Sequence, residues 1–159
     1  MVKKFEMQPV ARRDLLKLAG TGALTVIAGS LLPGLAKADA ASVAEAMKKL
    51  IGDKQPAEGR ITLELPQIAE NGNTVPIGIE VESTMMDSDY VKAVHVFAEK
   101  NPRPDVATFR FSPASGKAKV STRMRLAKTQ NIVAVAEMSD GSVYMAKNQV
   151  KVTIGGCGG

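Results

Sequence analysis

The apolar residues that follow residue 40 first recur with the period of an α-helix. Ser42 with Glu45 three residues later has the capping-box pattern of a helix start, and Gly52 is typical of a helix end. The apolar stripe between them consists of Val43, Ala46, Met47, Leu50 and Ile51. The pattern predicts one short amphipathic helix.

From Arg60 onward, apolar and polar residues alternate with the period of a half-buried β-strand. Turn-forming stretches such as ENGN, KNPRPD, SPASGK and SDG interrupt the alternation. The alternating segments are RITLEL, VPIGIEV, YVKAVHVFAE, VATFRF, AKVSTRMRL, NIVAVAEM and SVYMAKNQVKVTI. YVKAVHVFAE is apolar on both sides, which predicts a central strand. About seven short strands predict a mainly β fold, an immunoglobulin-like antiparallel β-sandwich with one short helix before it.

Residues 1–38 have the three parts of a secretory signal. A basic region ends at Lys17, an apolar stretch follows at residues 18–32, and Ala36 and Ala38 form an A-x-A cleavage motif. The apolar stretch is shorter than the roughly 20 residues that a membrane span needs. We therefore expect a cleaved signal and no stable membrane association.

Arg12 and Arg13 resemble the arginine pair of a twin-arginine export signal, although Ala11 stands where Ser or Thr is usual. Cleavage after Ala40 fits the small-residue pattern almost as well as cleavage after Ala38. We predict a periplasmic protein exported by the twin-arginine pathway. An uncleaved, membrane-anchoring helix is the alternative.

The net charge of +5 belongs mainly to the predicted signal. Residues 1–38 carry six basic and two acidic side chains, which leaves 15 basic and 14 acidic side chains for the rest of the chain. A nearly neutral body argues against binding to nucleic acid. Lys119, Arg123 and Arg125 still share one strand face, which is either solvated or a surface for an acidic partner or an oxyanion.

The chain contains one histidine and one cysteine, which are too few for a structural zinc site, and no C-x-x-C-H haem motif. His95 lies between Val94 and Val96, so we expect a satisfied strand histidine and not a ligand. Cys157 and His95 could pair as nucleophile and base, but a thiol among glycines lacks the fixed geometry that this needs. We therefore predict no catalytic residue, no metal and no cofactor.

The single cysteine lies in the sequence GGCGG, residues 155–159. Because glycine is the residue that costs most entropy to order, we predict a flexible arm outside the core. Its members are Gly155, Gly156, Cys157, Gly158 and Gly159. We expect valine at Gly156 or Gly158 to leave the fold intact. The arm has no Lys, Arg or His to activate the thiol, so we interpret Cys157 as an attachment point on which other proteins carry out the chemistry.

The arginine pair, the β-rich body and GGCGG together resemble the SoxY family, the sulfur-carrier subunits of the bacterial thiosulfate-oxidising Sox system. The resemblance divides the chain into a signal at 1–38, an immunoglobulin-like SoxY domain at 39–154 and a carrier arm at 155–159. It implies that Cys157 holds sulfur intermediates covalently, as an S-thiosulfonate and then a persulfide. It also implies a carrier and not an enzyme.

The resemblance further implies partners. These are SoxZ in a SoxYZ heterodimer, the c-type haem enzyme SoxAX that joins thiosulfate to the cysteine, the sulfate-releasing hydrolase SoxB and, where one exists, the sulfane dehydrogenase SoxCD. Co-export of SoxZ would explain a signal for folded cargo on a chain without a cofactor.

Three other interpretations of the cysteine remain open. The chain could be a thiocarboxylate sulfur carrier that uses Gly158 and Gly159, an interaction module with an added tail, or a redox-sensitive thiol that dimerises through Cys157. The sheet face that docks a partner is also open. Val133 and Val135 are candidates, but core burial would explain them equally well.

Overall fold

The computed structural model describes residues 40–156, so the predicted export signal lies outside the described residues. Within them the elements, in chain order, are α1 (Ala40–Ile51), β1 (Ala57–Glu58), β2 (Ile61–Glu64), β3 (Ile68–Asn71), β4 (Val75–Val81), β5 (Val91–Ala98), β6 (Asp105–Arg110), a 3₁₀ turn (Pro113–Ser115), β7 (Ala118–Met124), β8 (Gln130–Met138) and β9 (Val143–Ile154). No helix in this part of the chain has the length and apolar character needed to cross a membrane.

The strands form two sheets. The larger has the order β1-β9-β8-β5-β6, with β3 added along a second stretch of β9, and the smaller has the order β2-β4-β7. Neighbouring strands are antiparallel except β1 and β3, which both run parallel to β9. Within residues 40–156, the predicted mainly β sandwich with one short helix before it is confirmed.

The main core lies between the two sheets. On β4 the alternating residues Val75, Ile77, Ile79 and Val81 are all buried, as their period of two predicts. They belong to one apolar cluster with buried residues of β5 and β8, such as Val94. Full burial of each such side chain contributes about 1.5–3 kcal/mol.

Helix α1 covers the outer face of the larger sheet. Val43 and Ile51 pack in a second cluster with Phe97, Val133 and Val135. Strands β5 and β8 are therefore buried on both faces, which confirms the predicted central strand. Core burial accounts for the two valines of β8, which are 3% and 1% exposed, and leaves them unavailable for docking.

Two details of the helix differ from the sequence prediction. It begins at Ala40, so Ser42 lies in its first turn and not at its N-cap. Leu50, which the pattern assigns to the apolar stripe, is 46% exposed because it lies at the margin of the face that meets the sheet.

The periodicity missed β1 and β3. Strand β1 has two exposed residues, and β3 buries only Ala69, so neither has an apolar alternation to detect. Both are recruited by β9, which at 12 residues is long enough to pair with one at Tyr144 and with the other at Lys151.

Candidate functional site

The structure describes two of the predicted site residues, Gly155 and Gly156, which follow β9 directly. The others, Arg12, Arg13, Cys157, Gly158 and Gly159, lie outside the described residues. The site is therefore built from the segments that hold the chain up to Gly156.

The last residues of β9 are held on both sides. Strand β3 pairs with them in parallel, with Asn71 opposite Ile154. On the other side the Thr129 hydroxyl accepts a hydrogen bond from the Val152 N–H at 3.0 Å and donates one to the Val152 carbonyl at 3.4 Å. The chain therefore reaches Ile154 in a fixed direction.

Beyond Ile154, three backbone segments meet at a crossing that we call the glycine junction, made of Gly72, residues 126–127 and residues 154–156. The Gly72 N–H donates to the Ile154 carbonyl at 2.7 Å, and the Leu126 N–H donates to the Gly72 carbonyl at 2.8 Å. The Gly156 N–H donates to the Leu126 carbonyl at 2.9 Å. These bonds link the turn after β3, the loop before β8 and the chain after β9.

The junction leaves no room for side chains at its glycines. A Cβ on Gly155 would overlap the Ala127 carbonyl oxygen, and a Cβ on Gly156 would overlap the backbone of Gly72 and Asn73. These two glycines are thus packed against the fold. Valine at Gly156, which the sequence predicts to be tolerated, would have to displace either this end of the chain or the turn at Gly72, because its Cβ would overlap backbone atoms that cannot rotate away.

Two buried side-chain amides, which are hydrogen-bonded to each other, lie next to the junction. Asn101 is 7% exposed and Gln130 1% exposed, and the Gln130 Nε2 donates to the Asn101 Oδ1 at 2.9 Å. Asn101 in turn bonds to the backbone of Arg125 and Ala127. The sequence pattern does not indicate either residue. Asn101 belongs to the stretch KNPRPD, which is typical of a turn, and Gln130 directly precedes the alternating segment NIVAVAEM.

A second polar group joins β9 to the end of β5. The Glu99 carboxylate accepts hydrogen bonds from the Lys147 Nζ and the Asn131 Nδ2, both at 2.6 Å. Burial opposes ionisation of Glu99, but these two bonds outweigh it and lower the pKa of the carboxyl group.

His95 is satisfied inside the sheet, as expected from its flanking valines. Its Nδ1 lies 3.0 Å from the Thr108 hydroxyl and its Nε2 lies 2.8 Å from the Glu137 carboxylate. Both ring nitrogens are engaged, so the pairing with Cys157 as nucleophile and base gains no support. Among residues 40–156 no group of three or more His, Cys, Asp or Glu side chains could hold a metal ion.

The positive face predicted on β7 is present and exposed. Lys119 donates to the Glu80 carboxylate at 2.7 Å, and this bond lowers the pKa of Glu80 and raises that of Lys119. Arg123 lies further along this exposed face, and Arg125, also exposed, follows the end of β7 and directly precedes Leu126 of the junction. The face therefore approaches the segment that holds Gly156.

A comparison with known protein families identifies the family to which this chain belongs. The model of the family "sulfur oxidation protein SoxY" matches residues 47–157, well over half of the chain. The chain belongs to the SoxY family. The matched residues include all three glycines of the junction, Gly72, Gly155 and Gly156, and extend to Cys157.

Solved structures agree with this. The sulfur carrier protein SoxY from Chlorobium limicola f thiosulfatophilum is 34% identical, with a TM-score of 0.62 over 73% of this chain and 100% of its own. Superoxide reductase (neelaredoxin) from Ignicoccus hospitalis is 14% identical, with a TM-score of 0.53 over 59% of this chain and 80% of its own. That second likeness shows the fold alone. No curated protein matches the chain.

Proposed function

We propose that this chain is a periplasmic sulfur carrier of thiosulfate oxidation, with Cys157 as the point of covalent attachment. The observation that carries the proposal is the extent of the SoxY match, which reaches Cys157, the only cysteine of the sequence. The similar Chlorobium protein is a sulfur carrier, which supports the same role here.

The junction suits a carrier. Cys157 follows Gly156 by one peptide bond, and the hydrogen bond from Gly156 to Leu126 is the last contact that the described chain makes. Gly158 and Gly159, which follow the cysteine in the sequence, add no side chains, so this end of the chain is narrow around an adduct, which suits entry into a partner's channel.

The chemistry balances with a cysteine alone as acceptor. Loading joins the Cys157 thiolate to the outer sulfur of thiosulfate and removes two electrons, which the partner SoxAX takes up. Hydrolysis by SoxB then adds water, breaks the sulfur–sulfonate bond, and leaves a persulfide on Cys157 with release of sulfate and protons. The persulfide sulfur is left for oxidation by SoxCD or for transfer.

His95 is fully engaged within the sheet, and the predicted arm contains no Lys, Arg or His that could activate the thiol. In this proposal the chain bears the substrate and its partners supply the catalytic groups. SoxZ would be the stable partner in the heterodimer, and Arg12 and Arg13 would direct the folded chain to the periplasm.

The proposal is tested by the intact mass of the mature protein after incubation with thiosulfate and an extract that contains the partner enzymes. We expect a mass increase of one S₂O₃ group that a thiol reductant removes and that Cys157→Ser abolishes. A modified terminal glycine would instead indicate a thiocarboxylate carrier, and a disulfide-linked dimer would indicate the redox-sensitive thiol. An adduct that persists in Cys157→Ser would contradict the proposal.

A further inference from the structure

The buried amides Asn101 and Gln130 form a continuous path of hydrogen bonds to the glycine junction. The path begins at Gln130, the first residue of β8, whose Oε1 accepts from the Lys100 N–H at 2.6 Å and whose Nε2 donates to Asn101. Both ends of the Gln130 amide are thus occupied, so its orientation is fixed.

The Asn101 side chain hydrogen-bonds to the loop before β8 on both sides of Leu126. Its Nδ2 donates to the Arg125 carbonyl at 2.8 Å, and its Oδ1 accepts from the Ala127 N–H at 3.0 Å. Leu126 itself is fully buried and offers its carbonyl to the Gly156 N–H at 2.9 Å. The position of one carbonyl group therefore depends on Asn101 and determines where Gly156 lies.

Burying two amides is costly unless each polar atom is paired, and these are paired with one another and with backbone. A pair of apolar side chains could fill the same space without that requirement. Amides, unlike apolar side chains, fix the direction of the backbone groups that they bind. This favours a role in defining the loop over a role in bulk stability.

We propose that Asn101, supported by Gln130, is a positioning residue that fixes the point at which the cysteine-bearing segment leaves the fold. This inference rests on the proposed role of Cys157. Loss of the Asn101 contacts is expected to free Leu126, weaken the hold on Gly156 and make loading of Cys157 by the partner enzymes less efficient.

The test uses the mature chain with the nearly isosteric substitution Asn101→Asp. This keeps the acceptor of Asn101 but places an oxygen opposite the Arg125 carbonyl, so a hydrogen bond becomes a repulsion. The matched control is Asn131→Asp, which likewise loses an amide donor, the one to Glu99, but does not touch the junction. Should Asn101→Asp fail to fold, Gln130→Glu removes the support of Asn101 while keeping the bond from Lys100.

The first measurement is hydrogen exchange at the Gly156 amide, referred to the global stability of each variant. We expect Asn101→Asp to speed it about tenfold, as loss of one hydrogen bond and its replacement by repulsion imply, and Asn131→Asp to leave it unchanged. Acid should restore protection in Asn101→Asp only, because a protonated carboxyl can donate to Arg125 again.

The second measurement is loading with thiosulfate by the partner enzymes. We expect kcat/KM to fall about tenfold in Asn101→Asp, a loss of the order of one hydrogen bond, while the small reagent iodoacetamide alkylates Cys157 at least as fast as before. Equal effects of Asn101→Asp and Asn131→Asp, or wild-type exchange at Gly156 in Asn101→Asp, would overturn the proposal. If even the wild type fails to load, the carrier role fails, but the exchange data still decide whether Asn101 holds Gly156.

Discussion

The β-sandwich and the glycine junction are stabilised in opposite ways. The sandwich is held by buried side chains such as Phe97 and Ile132, which can repack, so volume-conserving exchanges cost less than about 1.5 kcal/mol. The junction is held by backbone hydrogen bonds among segments that approach too closely for a Cβ at Gly72, Gly155 or Gly156. The core should therefore tolerate volume-conserving substitutions better than the glycine positions of the junction tolerate any side chain.

The glycines show the same contrast. Gly116 has a φ of +68°, and no other atom lies within 4 Å of the position that a Cβ would take, so it is required by its backbone conformation. Gly155 has no such torsional need, but its Cβ would overlap Ala127. One residue type thus serves two physical purposes, and only the second ties the fold to the segment that bears Cys157.

The largest effect on stability is expected from the core. Phe97→Ala should lower the free energy of unfolding by about 3–5 kcal/mol, because it removes a fully buried ring beneath α1. Urea unfolding measures this loss. If the two regions are independent, exchange at the Gly156 amide, corrected for the unfolded fraction, should not change. A selective rise in exchange at the Gly156 amide would show that the core and the junction are not independent.

A smaller but more local effect is expected from Gly155→Ala. Forcing a methyl group against the Ala127 carbonyl should cost about 1–3 kcal/mol, or release the chain after Ile154. Hydrogen exchange at Gly156 and urea unfolding distinguish the two results. Gly116→Ala is the matched control, with a cost of about 1 kcal/mol that appears in global unfolding only. Identical behaviour of the two variants would remove the distinction between the glycines.

The sequence predicted what depends on local periodicity. The alternation of β4 and the two-sided apolar run of β5 are visible in single segments, and both strands lie where they were expected. Strand β3 could not be found this way, because Ala69 alone is buried and its pairing with β9 supplies the rest.

The sequence predicted only part of the candidate site, for a similar reason. Glycine at 155 and 156 predicts flexibility when nothing is known of the neighbours, and only the approach of Gly72 and Ala127 reverses that prediction. Asn101 contacts Ala127 across 26 positions of sequence, a separation at which a single sequence carries no signal. Cys157 lies outside the described residues, so its role as the attachment point stays a prediction.

The body should also show a pH dependence that the junction lacks. The pKa of Glu99 lies below its ordinary value of 4.5, so its contribution to stability is complete above that pH and disappears as the pH falls through the lowered value. Lys147→Met removes one of the two bonds that outweigh burial, so its pH dependence should be weaker or reversed. Urea unfolding from about pH 6 down to about pH 2 covers this window and measures both slopes. Parallel slopes would show that Lys147 does not set the pKa.

The smallest effect is expected from the positive face of β7, which lies outside both regions but approaches the junction through Arg125. Arg123→Gln leaves Lys119 paired with Glu80 and removes one exposed charge, so stability should change little. Exposed charge acts on encounter more than on affinity, and salt screens it beyond about 8–10 Å. If the face steers thiosulfate or an acidic partner, Arg123→Gln should slow loading of Cys157 about two- to threefold at low ionic strength and not at high ionic strength. Alkylation by the neutral reagent iodoacetamide should be unaffected at either. A loading rate equal to that of the wild type at low salt would leave this face a solvated surface.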